Sequence, residues 1–197
     1  MVIQEIWRYP VKSMAGELLK TADITEHGIS GDRIIQVRNA SGRIFTARTR
    51  PGLLRHRAML DENGGVLVDE RPWNTEQVAR DVEDAAGQGA RLVRSDAEDR
   101  FDVLPLLVTT DGMFAAVGYD RRRFRPNLVI GGVAGLSERQ WEGAQLQIGE
   151  VIIGSAGKGH SPRGSGQPTA GESVSALRLR SMAGGALPSG AIREVRR

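Results

Sequence analysis

The chain has no cysteine at all, which excludes disulfides, thiolate nucleophiles and every cysteine-ligated metal site. It lacks any apolar run near the roughly 18 residues that a membrane-spanning helix needs. No charged-then-apolar leader follows Met1, so a secretory signal is not read either, and the expectation is a cytoplasmic protein without a membrane partner. Aromatic residues make up only 5% of the chain and none follows Trp141. The C-terminal stretch therefore offers nothing for nucleic-acid bases to stack on. No serine-histidine triad, P-loop or Rossmann glycine fingerprint is visible.

What remains is ordinary in bulk. The 197 residues, 40% hydrophobic and 26% charged, suit one domain, or one with a small companion, and allow a real core. The net charge of +3 conceals a split, because residues 154–197 hold seven basic and two acidic side chains. The rest of the chain is therefore mildly acidic. The pI of about 9.8 belongs to that tail, which makes it a poor argument for nucleic-acid binding by the body.

Apolar alternation points to short strands and tight turns through the first 70 residues. Val2–Tyr9 reads as a strand stopped by Pro10, and Val11–Gly16 as a turn in which Gly16 is free to take positive φ. Leu18–Thr25 follows as a strand, then the turn cluster His27–Gly31, then Asp32–Val37 as a strand with Arg33 at its start. Residues 57–69 form a hairpin across the DENGG turn. Asn74 or Thr75 caps a helix over Glu76–Ala86 that Gly87 ends. Thr109-Thr110-Asp111 caps a shorter helix running to Ala116, whose N-terminus is a second place that favours anions. Residues 146–153 read as a hairpin or strand around Gly149.

Beyond that helix start, chemistry concentrates in two separated segments. Residues 121–130, RRRFRPNLVI, set a run of arginines against an apolar strand, and arginine offers a planar fork of donors that matches phosphate or carboxylate. Pro126 biases Arg125 towards an extended conformation, and Asn127 both donates and accepts at the mouth of the strand. Lys12 and Ser13 follow the first strand, where an ammonium, a hydroxyl and backbone N–H groups could face a phosphate. The plain alternatives are an exposed basic turn at 121–127 and a surface turn at 12–13.

Taken together, Tyr9-Pro10-Val11-Lys12-Ser13, Gly31-Asp32-Arg33 and Arg123-Phe124-Arg125-Pro126-Asn127-Leu128-Val129-Ile130, followed by Glu138, Trp141 and Ile148-Gly149, resemble MOSC-domain proteins. These are the proteins similar to the C-terminal part of molybdenum cofactor sulfurase. The resemblance is to the group with the N-terminal β-barrel half, which includes the amidoxime-reducing component, and it runs in order over residues 2 to about 153. It implies a mostly β fold with a few short helices (α+β), a MOSC-type β-barrel that is incomplete at its C-terminal end. It divides the chain into residues 1–95, an N-terminal barrel-like region, 96–153, the first part of the MOSC domain, and 154–197, a low-complexity basic tail expected to be disordered.

The same resemblance implies the molybdenum cofactor, a pterin with a dithiolene and a phosphate, and at family level an association with pyridoxal phosphate binding. Reductase chemistry on N-hydroxylated compounds or sulfur handling would follow, with an electron-transfer protein as partner. Residue by residue, Lys12, Ser13, Arg33, Arg125 and Asn127 would hold the pterin and its phosphate, with Thr109 as a further member. No catalytic residue and no metal ligand is assigned. Two other functions stand beside this one: a non-catalytic module that takes a phosphorylated small molecule, and a nucleic-acid contact through the basic tail, which ranks last.

The departure from the family lies just past Ile153, where members carry a metal-ligating cysteine and further strands. This chain continues as Gly154-Ser155-Ala156-Gly157-Lys158-Gly159-His160. His160, in a glycine-rich stretch, reads as solvated and not as a substitute ligand. Missing strands would leave unpaired edges beside Leu146–Ile153. Two expectations stand for the switch in composition: a shifted reading frame near codon 150, or a genuine flexible basic tail. Translating the coding DNA around codons 150–160 in the other two frames is expected to give a cysteine-containing β continuation; its absence from both frames rejects a frameshift in favour of a genuine tail.

Overall fold

The computed structural model describes residues 1–25, 27–95, 100–102, 104–118, 123–141, 144–148, 151–155, 176–180, 185–188 and 194–196. The short apolar runs become strands, in chain order β1 (Val2–Arg8), β2 (Glu17–Leu19), β3 (Thr21–Thr25), β4 (Gly28–Ile29), β5 (Ile35–Arg38), β6 (Ala58–Leu60), β7 (Val66–Val68), β8 (Arg71–Pro72) and β9 (Arg91–Arg94). The series continues with β10 (Leu106–Thr110), β11 (Leu128–Gly131), β12 (Gln145–Ile148), β13 (Val151–Ser155), β14 (Ala176–Arg180), β15 (Gly185–Pro188) and β16 (Glu194–Arg196). Two α-helices, α1 (Glu76–Ala86) and α2 (Asp111–Val117), complete a β-rich α+β fold. Among the described residues the sheets stay open and do not close into a barrel.

The chain forms two compact units, each discontinuous in sequence. The first comprises Met1–Trp7, Leu18–Ser30 and Asp102–Arg197. Its main sheet has the order β16-β12-β13-β14-β10-β11-β1-β2, and a smaller one the order β15-β3-β4. The parallel pair β10–β11 sits inside it, with Thr109 opposite Val129. Period-two alternation sends Leu106 with Val108 and Leu128 with Ile130 into one core, and a register shift between Ile3 and Glu5 brings both Ile3 and Ile6 into it. The expected unpaired edges beside Leu146–Ile153 are not found. β12 lies between β13 and β16, β13 lies between β12 and β14, and Leu146, Ile148, Val151 and Ile153 are buried. The partners are short stretches of the segment read as a tail, since ladder bonds need backbone N–H and C=O groups, not apolar side chains.

The second unit comprises Arg8–Glu17 and Gly31–Phe101. β5 pairs with β9, and β6, β7 and β8 form a meander across the DENGG turn. Val78, Val82 and Ala86 repeat at helical spacing on α1 and pack with Val11, Ile35, Val37 and Leu53 in this unit's core. Thr75 takes the N-cap position in extended conformation, and Gly87 ends the helix at φ 105°, a region open mainly to glycine. The strand expected over Asp32–Val37 begins only at Ile35, because Asp32 and Arg33 are held in a turn.

α2 begins one residue later than a cap at Thr109 would place it. Thr110 is the N-cap and its Oγ1 accepts from the Met113 N–H at 3.0 Å. The expected anion site at this helix end is already filled by the chain itself. The Asp111 carboxylate accepts from the N–H groups of Gly112, Gly132 and Val133 at 2.8, 2.8 and 3.1 Å. Gly112 is required here, since a Cβ would collide with the Val133 and Gly135 backbones.

The backbone donor of Gly132, and behind it those of Val133 and Gly112, hold Asp111 below the usual carboxylate range. A depressed folded-state value means the contribution is full above the unfolded pKa of about 4 and disappears as pH falls through the lower folded value. Asp111→Ala should cost about 1–2 kcal/mol at pH 7 by loss of these hydrogen bonds. In urea titrations the gap between wild type and Asp111→Asn should shrink below pH 4; a gap constant to pH 2 contradicts the charge-assisted clamp.

Candidate functional site

Two sets of the expected site residues are described, one in each unit. In the second unit the chain leaves β1, and residues 9–12 run beside the start of β5. The Lys12 N–H donates to Ile35 O at 2.8 Å, and the Ile35 N–H donates to Pro10 O at 3.0 Å. This parallel bridge buries Lys12 and Ser13, which are 5% and 1% exposed. Gly16 does not take positive φ as its type allows. Its role is close approach, because a Cβ there would meet Arg8 O and the Tyr9 ring. Ser13 takes the left-handed conformation instead, at φ 75°.

Arg33 reaches the same neighbourhood through its backbone. Its N–H donates to Tyr9 O at 2.8 Å, and the Tyr9 N–H donates to Asp32 Oδ1 at 2.7 Å. The other oxygen of Asp32 pairs with the Arg33 guanidinium, which lies 5.5 Å from the Tyr9 ring centroid. Asp32 is fully buried, so it orients Arg33 and fixes the chain after β1 at once. Arg33 too is left-handed, at φ 54°. The backbone of residues 9–12 thus lies beside Arg33 and Ile35, and Asp32 positions the Arg33 side chain.

In the first unit Asn127 is fully buried. Its Oδ1 accepts from the Leu107 N–H at 3.0 Å and its Nδ2 donates to Trp7 O at 3.2 Å. Its own backbone donates to Leu107 O and accepts from the Trp7 N–H, both at 2.7 Å. Asn127 therefore ties β1 and β10 to the start of β11. On the other side of Arg125, the Phe124 ring packs on Phe114 of α2, with centroids 6.1 Å apart. Arg125, between these two anchors, adopts φ 47°. The extended conformation expected before Pro126 is therefore not adopted. Arg121 and Arg122 lie outside the described residues, as does His160.

Thr109 sits on β10, one residue before the helix cap, and is buried. Among the described residues, three buried side-chain oxygens have no hydrogen-bond partner: Ser13 Oγ, Thr109 Oγ1 and Glu138 Oε1. Two of the three are expected site residues. A buried hydroxyl without a partner costs stability unless something outside the chain satisfies it. The third belongs to a pair the sequence did not reveal, in which the Thr110 hydroxyl donates to Glu138 Oε2 at 3.1 Å. The left-handed backbones of Ser13, Arg33 and Arg125 carry strain of the kind that collects at binding sites. Among the described residues no cluster of three or more metal-ligating side chains occurs, and no helix is long and apolar enough to cross a membrane.

Residues 1–103 match the MOSC N-terminal beta barrel domain, which is more than half of the chain. The chain therefore belongs to the MOSC family, a family generally associated with the molybdenum cofactor. Among solved structures, the YUAD protein from Bacillus subtilis is similar over 96% of this chain and 93% of its own length, with 11% identity and a TM-score of 0.46. No curated protein matches the chain.

The unsatisfied hydroxyls lead to a test that needs no ligand. Ser13→Ala and Thr109→Val remove buried polar atoms that have no partner, so each is expected to raise the unfolding free energy of the ligand-free protein by about 1 kcal/mol. Urea denaturation measures this directly. Destabilisation of both variants would show that the hydroxyls are already satisfied within the fold.

Proposed function

We propose that this chain is a cofactor-binding protein of the MOSC family that takes the molybdenum cofactor through the cofactor's anionic and hydrogen-bonding groups. The observation that carries the reading is the orphaned Ser13 hydroxyl, buried next in sequence to Lys12 on a left-handed backbone. An ammonium and a guanidinium suit a phosphate, and a hydroxyl without a partner suits a pterin or phosphate oxygen. Thr109, Arg125 and Asn127 carry the same assignment by resemblance, with Asn127 acting through the sheet it ties together. The donor set fits the organic part of the cofactor and supplies no thiolate for the metal. When bound, the cofactor would supply reductive or sulfur-transfer chemistry. The chain's own part is to neutralise the phosphate and to hold the pterin in one orientation.

The missing cysteine also favours a second reading, a non-catalytic module that binds a phosphorylated small molecule without metal. The two separate by experiment. Protein purified from cells that make the cofactor should yield fluorescent oxidised pterin in near-stoichiometric amount. Lys12→Ala and Arg33→Ala should each lower that yield by about tenfold, the size expected for a lost charge-assisted contact. No pterin in the wild type, together with thermal stabilisation by inorganic phosphate, would reject the cofactor reading in favour of the second.

A further inference from the structure

A second feature, confined to the second unit, is independent of the cofactor reading. Between Asp32 and Asp61 the sequence contains seven arginines and no acidic residue. The fold accounts for three of them. Arg33 pairs with Asp32. Arg38 donates to Gln36 Oε1 and to Gly42 O. Arg50 donates to Ala86 O, at the C-terminal end of α1, and stacks 4.8 Å from the Phe45 ring centroid, the favourable end of the helix dipole for a cation.

The other four, Arg43, Arg48, Arg55 and Arg57, are exposed and make no ion pair among the described residues. Their backbone is ordered by a turn in which the Thr49 and Arg50 N–H groups donate to Thr46 O at 3.0 and 2.8 Å. A 3₁₀ turn over Pro51–Arg55 follows, anchored by the buried Leu53. Four cations held on ordered backbone cost less to immobilise on binding than cations on a floppy loop.

The patch has a border. The His56 ring pairs with Asp69 Oδ2 at 2.8 Å, and the Arg57 N–H donates to Asp69 Oδ1 at 2.8 Å. From there, residues 61–84 hold eight acidic residues and two arginines, and α1, which carries several of those acids, packs against the same segment through Gly52 and Ala85. A long polyanion laid across the arginines would run into these carboxylates. A bounded acidic surface would not.

We infer that the face formed by Arg43, Arg48, Arg55 and Arg57 is a docking site for an acidic segment of a partner protein. Arginine is the charged residue most often central to such interfaces, through bidentate carboxylate contacts. The test uses the full chain and a fluorescein-labelled peptide rich in Asp and Glu, with binding read by anisotropy at low and at physiological salt. Replacing all four arginines by Gln should weaken binding by about tenfold or more, with the circular dichroism spectrum unchanged. The control Arg71→Gln/Arg80→Gln/Arg91→Gln/Arg94→Gln, which removes the same charge from elsewhere in the unit, should bind as wild type. Replacing the four patch residues by Lys should restore most of the affinity. Equal loss in patch and control variants would reduce the effect to net charge and overturn the proposal. Tighter binding of an equally charged DNA duplex through the same four arginines would overturn it in favour of a nucleic-acid surface.

Discussion

The buried carboxylate of Asp32 is the constraint on which the candidate site depends. One oxygen receives the Tyr9 N–H and the other the Arg33 guanidinium, so a single side chain joins the end of β1 to the turn before β5. A carboxylate without exposure is tolerable only when both oxygens are satisfied, and a broken buried pair costs about 3–5 kcal/mol. Everything near Lys12 inherits its position from this knot. The chain after Tyr9 is held against Ile35, Ser13 is forced into a left-handed turn, and Gly16 lets the Tyr9 ring lie close. Arg33 is thereby presented as a cation in a fixed direction, half neutralised by the residue that aims it.

The first unit is tied together by a different device. Asn127 makes four hydrogen bonds to strand backbone, two from its side chain and two from its main chain. An asparagine that bridges two strands fixes the register of β11 against both, and with it the place where Arg125 leaves the sheet. Arg125 and Arg33 then share a strained backbone. Ser13 is left-handed as well, and so, outside the candidate site, are Asp69 and Glu70.

Much of this was legible in the sequence where local chemistry decides the outcome. α1 ran from Thr75 to Gly87 as its residues indicate, because the glycine stop and the helical spacing agree there. The hairpin of β6 and β7 followed from its glycine turn. Legibility failed where distant groups intervene. Asp32 looks like the start of a strand until the Tyr9 N–H reaches it, and Thr109 and Thr110 are equal cap candidates until Thr110 Oγ1 finds the Met113 N–H. β16 pairs through backbone and carries little compositional signal, whereas β14 overlaps residues 174–179, the one stretch of the tail with periodic apolar residues. The basic face was hidden by averaging, since the acid-free run before Asp61 is nearly cancelled by the acidic run after it. Charge counted in short windows would have exposed it.

Family membership and the missing cysteine pull in opposite directions, and the site residues decide between them. The residues proposed to meet the cofactor's anionic groups are present in the chain, whereas a thiolate ligand is absent from it. Cofactor binding, as proposed, would rest on Lys12, Ser13 and Arg33, whereas metal ligation would not. The most direct test is the molybdenum content per polypeptide, by plasma mass spectrometry, of protein purified from cells that make the cofactor. Near-stoichiometric molybdenum is the result this account predicts, with the metal carried by its pterin and held through the organic part. Protein free of molybdenum would contradict it, and would leave the MOSC fold as ancestry without the family's chemistry.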